Sequence, residues 1–335
     1  MKLIRPSYEI IEQGPGMQGV YDMIERCGKV SYKSDFKGGE VAKRFVESRA
    51  KERHGAVLEF GTVYLTIKTN CPNLLTTLSF YKNNPYSKMI MNAPDNEECI
   101  YYYITTNYRV LVENDRLDDL KYLCEPTEFH EKRYAVKFIT DIGVGREFLR
   151  HRVMSMVQES TRYVNYMKEK FGEECSFIIP CWIPKETLAE GENITWWDGD
   201  WVDGDKIKIV KYGAAELEHD PVELWLNHMM SSEIDYRVLI NLGWLPQQAR
   251  TVLPLSTKTE FVLCGFTDAW IHFFCLRSDI AATGKPHPQS VELANPLRDE
   301  FIKRQYITED SLKYDALALH EAAYNWGRPK KTEEK

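Results

Sequence analysis

The sequence predicts an α+β protein in which helices and strands share one core. Amphipathic helical segments outnumber strand-like segments along the 335 residues. The two clearest strands, residues 57–69 and 131–141, are separated by helices without the regular alternation of a parallel α/β array. Hydrophobic residues make up 43% of the chain, and no repeat or linker divides it. We therefore predict one domain over residues 1–327 and a charged tail over 328–335.

The N-terminal segment reads as a strand, a glycine turn and a helix. Residues 7–12 have strand character, Gly14 to Gly19 fit the pattern Gly-x-Gly-x-x-Gly, and a helix is predicted over 20–28. This order is the context of a dinucleotide fingerprint. However, Pro15 interrupts the turn, and no second apolar strand ends in an acidic residue at the required distance. We interpret the glycines as a loop.

The segment up to residue 130 combines helices, strands and a loop. His54 and Glu59 lie where the helix over 39–54 gives way to the strand over 57–69, and Gly55 is a plausible helix stop. The remaining predictions are short helices over 73–84, 107–113 and 116–124, a polar loop over 85–98, and a tyrosine-rich strand over 99–104.

The second half is mainly helical. Gly143 and Gly145 break the strand over 131–141, and a helix starting there is predicted to carry Arg146, Glu147 and Arg150. Further helices are predicted over 220–241, 245–254, 268–277, 291–302 and 312–324, and residues 172–212 are irregular.

Composition excludes several classes of protein. No apolar run reaches the roughly 18 residues of a membrane span, and the first residues lack a signal-peptide pattern, so a cytoplasmic protein is expected. The net charge of −7 argues against binding polymeric nucleic acid. The eight cysteines include no Cys-x-x-Cys pair, and the acidic, tryptophan-rich residues 196–205 lack the closing glutamate of an EF-hand. We predict no metal site.

Residues 146–166 carry the strongest functional signal. The segment contains four arginines and a histidine in an acidic chain. Guanidinium groups form paired hydrogen bonds with phosphate oxygens, which favours a site for phosphorylated small molecules. An alternative is a solvated helix face with intrahelical ion pairs. Apolar neighbours such as Phe148, Leu149 and Met154 favour partial burial, where unpaired charge is costly.

The motif Arg150-His151-Arg152, seven residues and Ser160, followed by Arg162-Tyr163, resembles the signature of the flavin-dependent thymidylate synthases, the ThyX family. Residues 29–67, with the turn at His54, also resemble that family. So do Pro246 to Pro254, Leu276-Arg277 and His287-x-Gln289, in the expected order. The resemblance covers residues 20–80 and 130–300, whereas 85–130 and 190–215 look like insertions.

This resemblance implies reductive methylation of dUMP to dTMP, with FAD as cofactor and with NADPH and methylenetetrahydrofolate as co-substrates. It also implies a homotetramer with active sites between subunits. Arg277 would contact the uracil ring, and Arg250 would anchor phosphate from another subunit. The other substrate-binding residues would be Glu147, Arg150, Gln158, Glu159, Ser160, Thr161 and Arg162; the FAD-binding residues would be Arg150, His151, Arg152, Gln158, His272 and His54.

Several positions depart from the family pattern. Glu147 and Gln158 stand where the family usually has glutamine and glutamate, and Phe266-Thr267-Asp268 replaces a flavin-contacting Asn-x-Arg. Two alternatives to dUMP methylation follow. The protein could methylate or hydroxymethylate a related pyrimidine nucleotide. It could also be a non-catalytic nucleotide-binding protein that keeps the arginines and has lost the flavin.

Overall fold

A computed structural model of the chain describes residues 1–69, 73–94, 99–168, 172–188, 220–281 and 284–313. Helices and strands pack together throughout these ranges, which confirms the mixed helix and sheet class. The tryptophan-rich loop, the charged tail and most of the helix predicted over 312–324 lie outside the described residues.

A four-stranded antiparallel sheet is the centre of the fold. The strands of the described ranges are Lys2–Ile4 (β1), Ser7–Ile11 (β2), Thr62–Lys68 (β3), Lys88–Asn92 (β4), Tyr101–Asn107 (β5), Arg133–Asp141 (β6), Ser155–Gln158 (β7), Ser176–Ile178 (β8) and Lys258–Phe266 (β9). The four-stranded sheet has the order β2-β6-β9-β7. A three-stranded antiparallel sheet has the order β3-β5-β4, and β1 pairs in parallel with β8.

Helices cover both faces of the four-stranded sheet. They are Gly16–Gly28 (α1), Gly39–Lys51 (α2), Gly55–Leu58 (α3), Leu74–Asn83 (α4), Tyr108–Glu113 (α5), Ile142–Phe148 (α6), Pro221–Asn241 (α7), Pro246–Ala249 (α8), Thr267–Arg277 (α9) and Pro288–Lys303 (α10). Short 3-10 helices span Lys29–Tyr32, Leu117–Tyr122 and Arg250–Val252.

The largest apolar core lies between one face of this sheet and helices α9 and α10. Phe138 of β6 stacks on Phe261 of β9, with ring centroids 5.3 Å apart, and Trp270 and Phe273 of α9 pack over them. All four side chains are fully buried. Aromatic pairs of this kind add stability beyond their buried area. This packing fixes α9, and therefore Arg277 at its C-terminal end, relative to the sheet.

The opposite face of the sheet is divided into an apolar and a charged part. Cys264 and Val262 of β9 pack with Met23 and Cys27 of α1. Closer to the start of β9, the side chains are Lys258 and Glu260 instead. The strand therefore carries charge into a largely buried part of the sheet.

The structure corrects three predictions of secondary structure. The helix expected to carry Arg150 ends at Phe148, because the chain turns and then forms β7 beside β9. The loop over 85–98 contains β4, which pairs with β5. The strand expected from residue 57 begins at Thr62, after the single helical turn of α3.

Helices predicted over 20–28, 39–54, 220–241 and 268–277 are confirmed within a few residues. Strands β1, β7, β8 and β9 were not predicted. Within the described ranges, no helix combines the length and the hydropathy that crossing a bilayer requires.

Candidate active site

The junction between β6 and α6 is fixed by a buried carboxylate. Asp141, the last residue of β6, accepts hydrogen bonds from the Val144 amide and from Gln289 Nε2, each at 2.7 Å. The first contact caps the start of α6. Burial raises the pKa of Asp141, although these hydrogen bonds oppose the change. Asp141 was not predicted as a site residue, and Gln289 of the His-x-Gln element supports it.

Arg277 is held in place by three acceptors. Its Nη1 lies 3.0 Å from Glu147 Oε2, its Nη2 donates to the Glu147 carbonyl at 2.9 Å, and its Nε donates to His151 Nε2 at 3.1 Å. Burial lowers the pKa of Arg277, and the Glu147 carboxylate opposes this effect. The guanidinium nevertheless stays charged in a protein. The result is a half-buried cation of fixed orientation.

His151 is a buried and neutral acceptor. Burial, followed by the positive charge of Arg277 and by His272, lowers its pKa to about 3. Because arginine can only donate, His151 Nε2 must accept and the ring proton lies on Nδ1. The ring packs on Phe273, with centroids 5.0 Å apart, and lies 5.8 Å from the His272 ring. His151 and His272, both predicted as FAD-binding residues, are therefore neighbours of each other, and His151 contacts Arg277.

The end of the edge strand β7 carries three consecutive residues that were predicted to bind substrate, Gln158, Glu159 and Ser160. Their side chains have different surroundings. Gln158 Nε2 donates to Thr259 Oγ1 at 3.0 Å. The Glu159 carboxylate is buried and pairs with Lys258, with Oε2 2.8 Å from Nζ. The Ser160 amide donates to the Ser31 carbonyl at 3.1 Å. The Glu159 carboxylate is thus directed at the sheet, whereas Ser160 begins a turn at the surface.

The turn over residues 160–164 brings predicted phosphate-binding residues together. The amides of Tyr163 and Val164 both donate to the Ser160 carbonyl at 3.1 Å. Arg250 Nη1 donates to Thr161 Oγ1 at 2.7 Å. This contact lies within one chain. Arg162 is exposed and lies over the Tyr163 ring at 5.5 Å.

Three further arginines flank Glu147 and His151 in sequence and are exposed. Arg146, Arg150 and Arg152 form no ion pair with any carboxylate among the residues that the structure describes. This arrangement disfavours the alternative of a helix face with intrahelical ion pairs. Guanidinium groups without carboxylate partners are available for an anionic ligand.

A cavity of about 450 Å³ lies beside this cluster. Its lining includes Arg146, Glu147, Trp182, Trp225 and His287, and Trp182 and His287 form an edge-to-face ring contact at 6.0 Å. The volume suits a small organic ligand. Glu147 therefore faces the cavity and also pairs with Arg277.

His54, a predicted flavin contact, and Asp268, which stands where the family has a flavin-contacting arginine, both lie in other environments. His54 precedes α3, is exposed, and contacts Arg49 and Glu52. No hydrogen bond or ring contact in the described part of the chain joins it to Arg146, Arg150, Arg152 or Arg277. Asp268, in place of the arginine of Asn-x-Arg, pairs with Lys88 at 2.7 Å. Within the described ranges, no group of three or more metal-ligating side chains is placed to hold an ion.

Comparison of the sequence with known proteins assigns the chain to one family. Residues 92–302 match the family model Thy1, described as thymidylate synthase complementing protein. Flavin-dependent thymidylate synthases from two species of Thermosipho are similar. That of Thermosipho melanesiensis is 26% identical over 189 residues, which cover 56% of this chain and 72% of that protein. That of Thermosipho africanus is 25% identical over 174 residues, which cover 52% and 67%.

Among solved structures, the UMP/dUMP methylase PolB from Streptomyces cacaoi, bound with 5-Br dUMP, is 14% identical with a TM-score of 0.40. The alignment covers 95% of this chain and 97% of PolB. The Thy1 match includes every predicted site residue except His54.

Proposed function

The chain belongs to the Thy1 family of thymidylate synthase complementing proteins, and on this premise we propose that it reductively methylates dUMP to dTMP. The observation that carries the proposal is the fixed Arg277 cation beside exposed arginines that have no carboxylate partner in the described ranges. A nucleotide monophosphate needs both features, since its base and its phosphate are recognised separately.

Phosphate binding is assigned to the turn after β7. Ser160, Thr161 and Arg162 supply hydroxyl and guanidinium donors, and Arg250 is already in contact with Thr161. Charge-assisted hydrogen bonds from arginine to phosphate are among the stronger polar contacts, at roughly 1.5–3 kcal/mol each. Arg150 would contribute a further cation. Gln158 would lie close to the nucleotide, anchored by Thr259.

Arg277 would activate the uracil ring. Its position is fixed by Glu147 and His151 before substrate arrives, so little reorganisation is needed during the reaction. A cation held against the ring stabilises negative charge that develops on it, which makes C5 more nucleophilic. Because His151 is neutral, it orients Arg277 without adding a second charge. No covalent enzyme nucleophile is required, and Ser160 has no adjacent base among the described residues to activate it.

The hydrogen-bond donors of this site fit the diphosphate of FAD. Arg150 and Arg152 are exposed guanidiniums without carboxylate partners in the described ranges, and such groups suit a diphosphate. We assign FAD binding to these two residues with His151, His272 and Gln158, and retain His54 as a proposed contact from outside this cluster. When bound, reduced FAD supplies the hydride equivalent, with NADPH as its reductant and methylenetetrahydrofolate as carbon donor. We further propose the single domain over 1–327 and a homotetramer.

Glu147 favours a second candidate function. The family resemblance predicts glutamine there, and the carboxylate borders both Arg277 and the 450 Å³ cavity. A carboxylate accepts hydrogen bonds and cannot donate them, so it would prefer a different pyrimidine edge from an amide. The protein would then methylate or hydroxymethylate a related pyrimidine nucleotide.

Product analysis separates these candidates. The purified protein would be incubated with dUMP, NADPH, FAD and methylenetetrahydrofolate, and the nucleotides analysed by mass spectrometry. We expect dTMP. A product heavier by one oxygen would replace methylation by hydroxymethylation, and turnover of another pyrimidine nucleotide in preference to dUMP would favour the second candidate. Tight binding of dUMP by a protein that takes up no flavin would indicate a non-catalytic nucleotide-binding protein.

A further inference from the structure

Four side chains of alternating charge form a row across the four-stranded sheet. Lys137 of β6 lies 2.7 Å from Glu260 of β9, and Glu260 also contacts Lys258 of the same strand. Lys258 in turn lies 2.8 Å from the carboxylate of Glu159, the residue that follows β7. The row therefore links the central strands to the edge of the sheet.

The end of this row near β7 is almost inaccessible to solvent. The side chains of Lys258 and Glu159 are 6% and 1% exposed, whereas that of Lys137 is 27% exposed. Burial raises the pKa of Glu260, but Lys258 and Lys137 outweigh it and lower the pKa to about 2. Buried pairs of this kind contribute little net stability, although removing one partner is strongly destabilising. A gain in stability is therefore a weak explanation for the pair.

The pair is located where it can control the predicted phosphate-binding turn. β7 has four residues and is an edge strand, paired only with β9 among the described strands. After it, the Glu159 amide donates to the Glu260 carbonyl at 2.7 Å, and Ser160 continues the chain directly. The carboxylate of Glu159 thus adds a side-chain anchor to the sheet one residue before the turn begins.

We propose that the buried Glu159–Lys258 ion pair is a positioning device that holds the Ser160–Arg162 turn in the geometry that binds the phosphate of dUMP. This inference rests on the proposed function. In this proposal Glu159, which the family resemblance placed among the substrate-binding residues, acts through the turn together with Lys258 and makes no direct contact with the nucleotide. Their loss would consequently weaken recognition of the phosphate and leave contacts with the base intact.

A comparison of two ligands isolates this effect. Deoxyuridine has the same base and sugar as dUMP and lacks the phosphate. Dissociation constants for both would be measured by equilibrium dialysis with the FAD-saturated protein. In Lys258→Met we expect the Kd for dUMP to rise by about tenfold or more, and that for deoxyuridine to change less than about twofold. Glu159→Gln, which conserves volume and leaves Lys258 paired with Glu260, should show a smaller rise with the same selectivity.

Lys137→Met is the matched control, since it removes the other lysine of the same row at its exposed end. It should lower the melting temperature without changing the ratio of the two dissociation constants. Lys258→Arg should retain that ratio because it conserves the charge. If Lys258→Met does not fold, Glu159→Gln decides the question.

The possible failures can be told apart. A wild-type protein that binds dUMP no more tightly than deoxyuridine would overturn the proposed phosphate site itself. A wild-type protein that prefers dUMP, together with a Glu159→Gln or Lys258→Met variant that keeps the wild-type ratio, would overturn the positioning role alone. An equal loss of affinity for dUMP and deoxyuridine in the variants would likewise overturn the positioning role, and would indicate a general structural role instead.

Discussion

Arg277 and Glu147 form an ion pair, with Nη1 3.0 Å from Oε2, that joins the end of α9 to the last turn of α6. The same arginine donates to His151 at 3.1 Å. The Arg277 cation is therefore fixed by two residues of the arginine-rich segment over 146–166. We expect this arrangement to be required for chemistry more than for folding, because the side chain is at the border of the core.

Replacing Arg277 by alanine should lower kcat for dTMP formation by about 100-fold or more, by analogy with loss of one preorganised donor at a developing negative charge. The variant should stay folded and bind FAD, as shown by its visible spectrum and circular dichroism. Arg277→Lys is the control, since it keeps the charge and loses the three-acceptor geometry. Near wild-type turnover in Arg277→Ala would show that this residue does not activate the ring.

Glu147→Gln tests whether charge or hydrogen bonding at this position matters. The amide oxygen can still accept from Arg277, so we expect kcat/KM for dUMP to stay within about threefold of wild type. Glu147→Ala removes the acceptor and should lower kcat/KM for dUMP by about two- to fivefold. The effect is modest because the ion pair is partly exposed. Steady-state kinetics with dUMP and with other pyrimidine nucleotides would measure both effects. A switch of the preferred nucleotide in Glu147→Gln would instead support the second candidate function.

Arg250→Ala should raise the Kd for dUMP by about 10- to 100-fold, since it removes a charge-assisted contact. Its contact with Thr161 places it at the turn within one chain. Arg26→Ala, which removes a partly exposed arginine paired with Glu9 at 2.5 Å, is the matched control and should bind dUMP normally. Equal affinities for the two variants and for wild type, measured by calorimetry, would contradict the phosphate-anchor role.

The stability of the protein should fall in acid partly through His151. Its folded pKa of about 3 lies below the ordinary value of 6.5, so between these values the unfolded state binds a proton that the folded state does not. The contribution of His151 to the free energy of unfolding is fully present above pH 6.5. It decreases by about 1.4 kcal/mol per pH unit as the pH falls toward 3.

His151→Gln cannot take up this proton, so its melting temperature should depend less steeply on pH than that of wild type between pH 6.5 and 4. Thermal denaturation of both proteins across this range measures the difference. Parallel curves for the two proteins would mean that His151 is not held neutral. His130, whose pKa burial also lowers, is common to both proteins and cancels in the comparison.

The amphipathic helices α1 and α2 could be predicted because their apolar residues repeat along one face. The apolar segment that forms α9 also has helical spacing. The helix over 268–277 places Trp270 and Phe273 in the core, and the structure has them there. The arginine motif also identified the residues around Arg277 without any structural information. What local pattern could not show is which of these arginines are paired, because Glu147 reaches Arg277 across 130 positions of sequence.

The strands that were not predicted depend on tertiary contacts. β7 has only four residues, too few for alternation to be recognised, and it exists because it pairs with β9. β9 is mostly buried on both faces, so its apolar run lacks a strand period, and the charges at Lys258 and Glu260 obscure it further. Asp141 was missed for a similar reason, since its partner Gln289 is 148 positions away.

The visible spectrum of the purified protein during anaerobic addition of NADPH, with and without dUMP, tests the central claim most directly. We predict a flavin absorbance band, after addition of FAD if necessary, that bleaches with NADPH at a rate that dUMP changes. That outcome would place cofactor, reductant and nucleotide on one protein. Absence of a flavin band in protein that was saturated with FAD and then freed of unbound FAD by gel filtration would contradict a flavin-dependent synthase and would support a nucleotide-binding protein that retains the arginines alone.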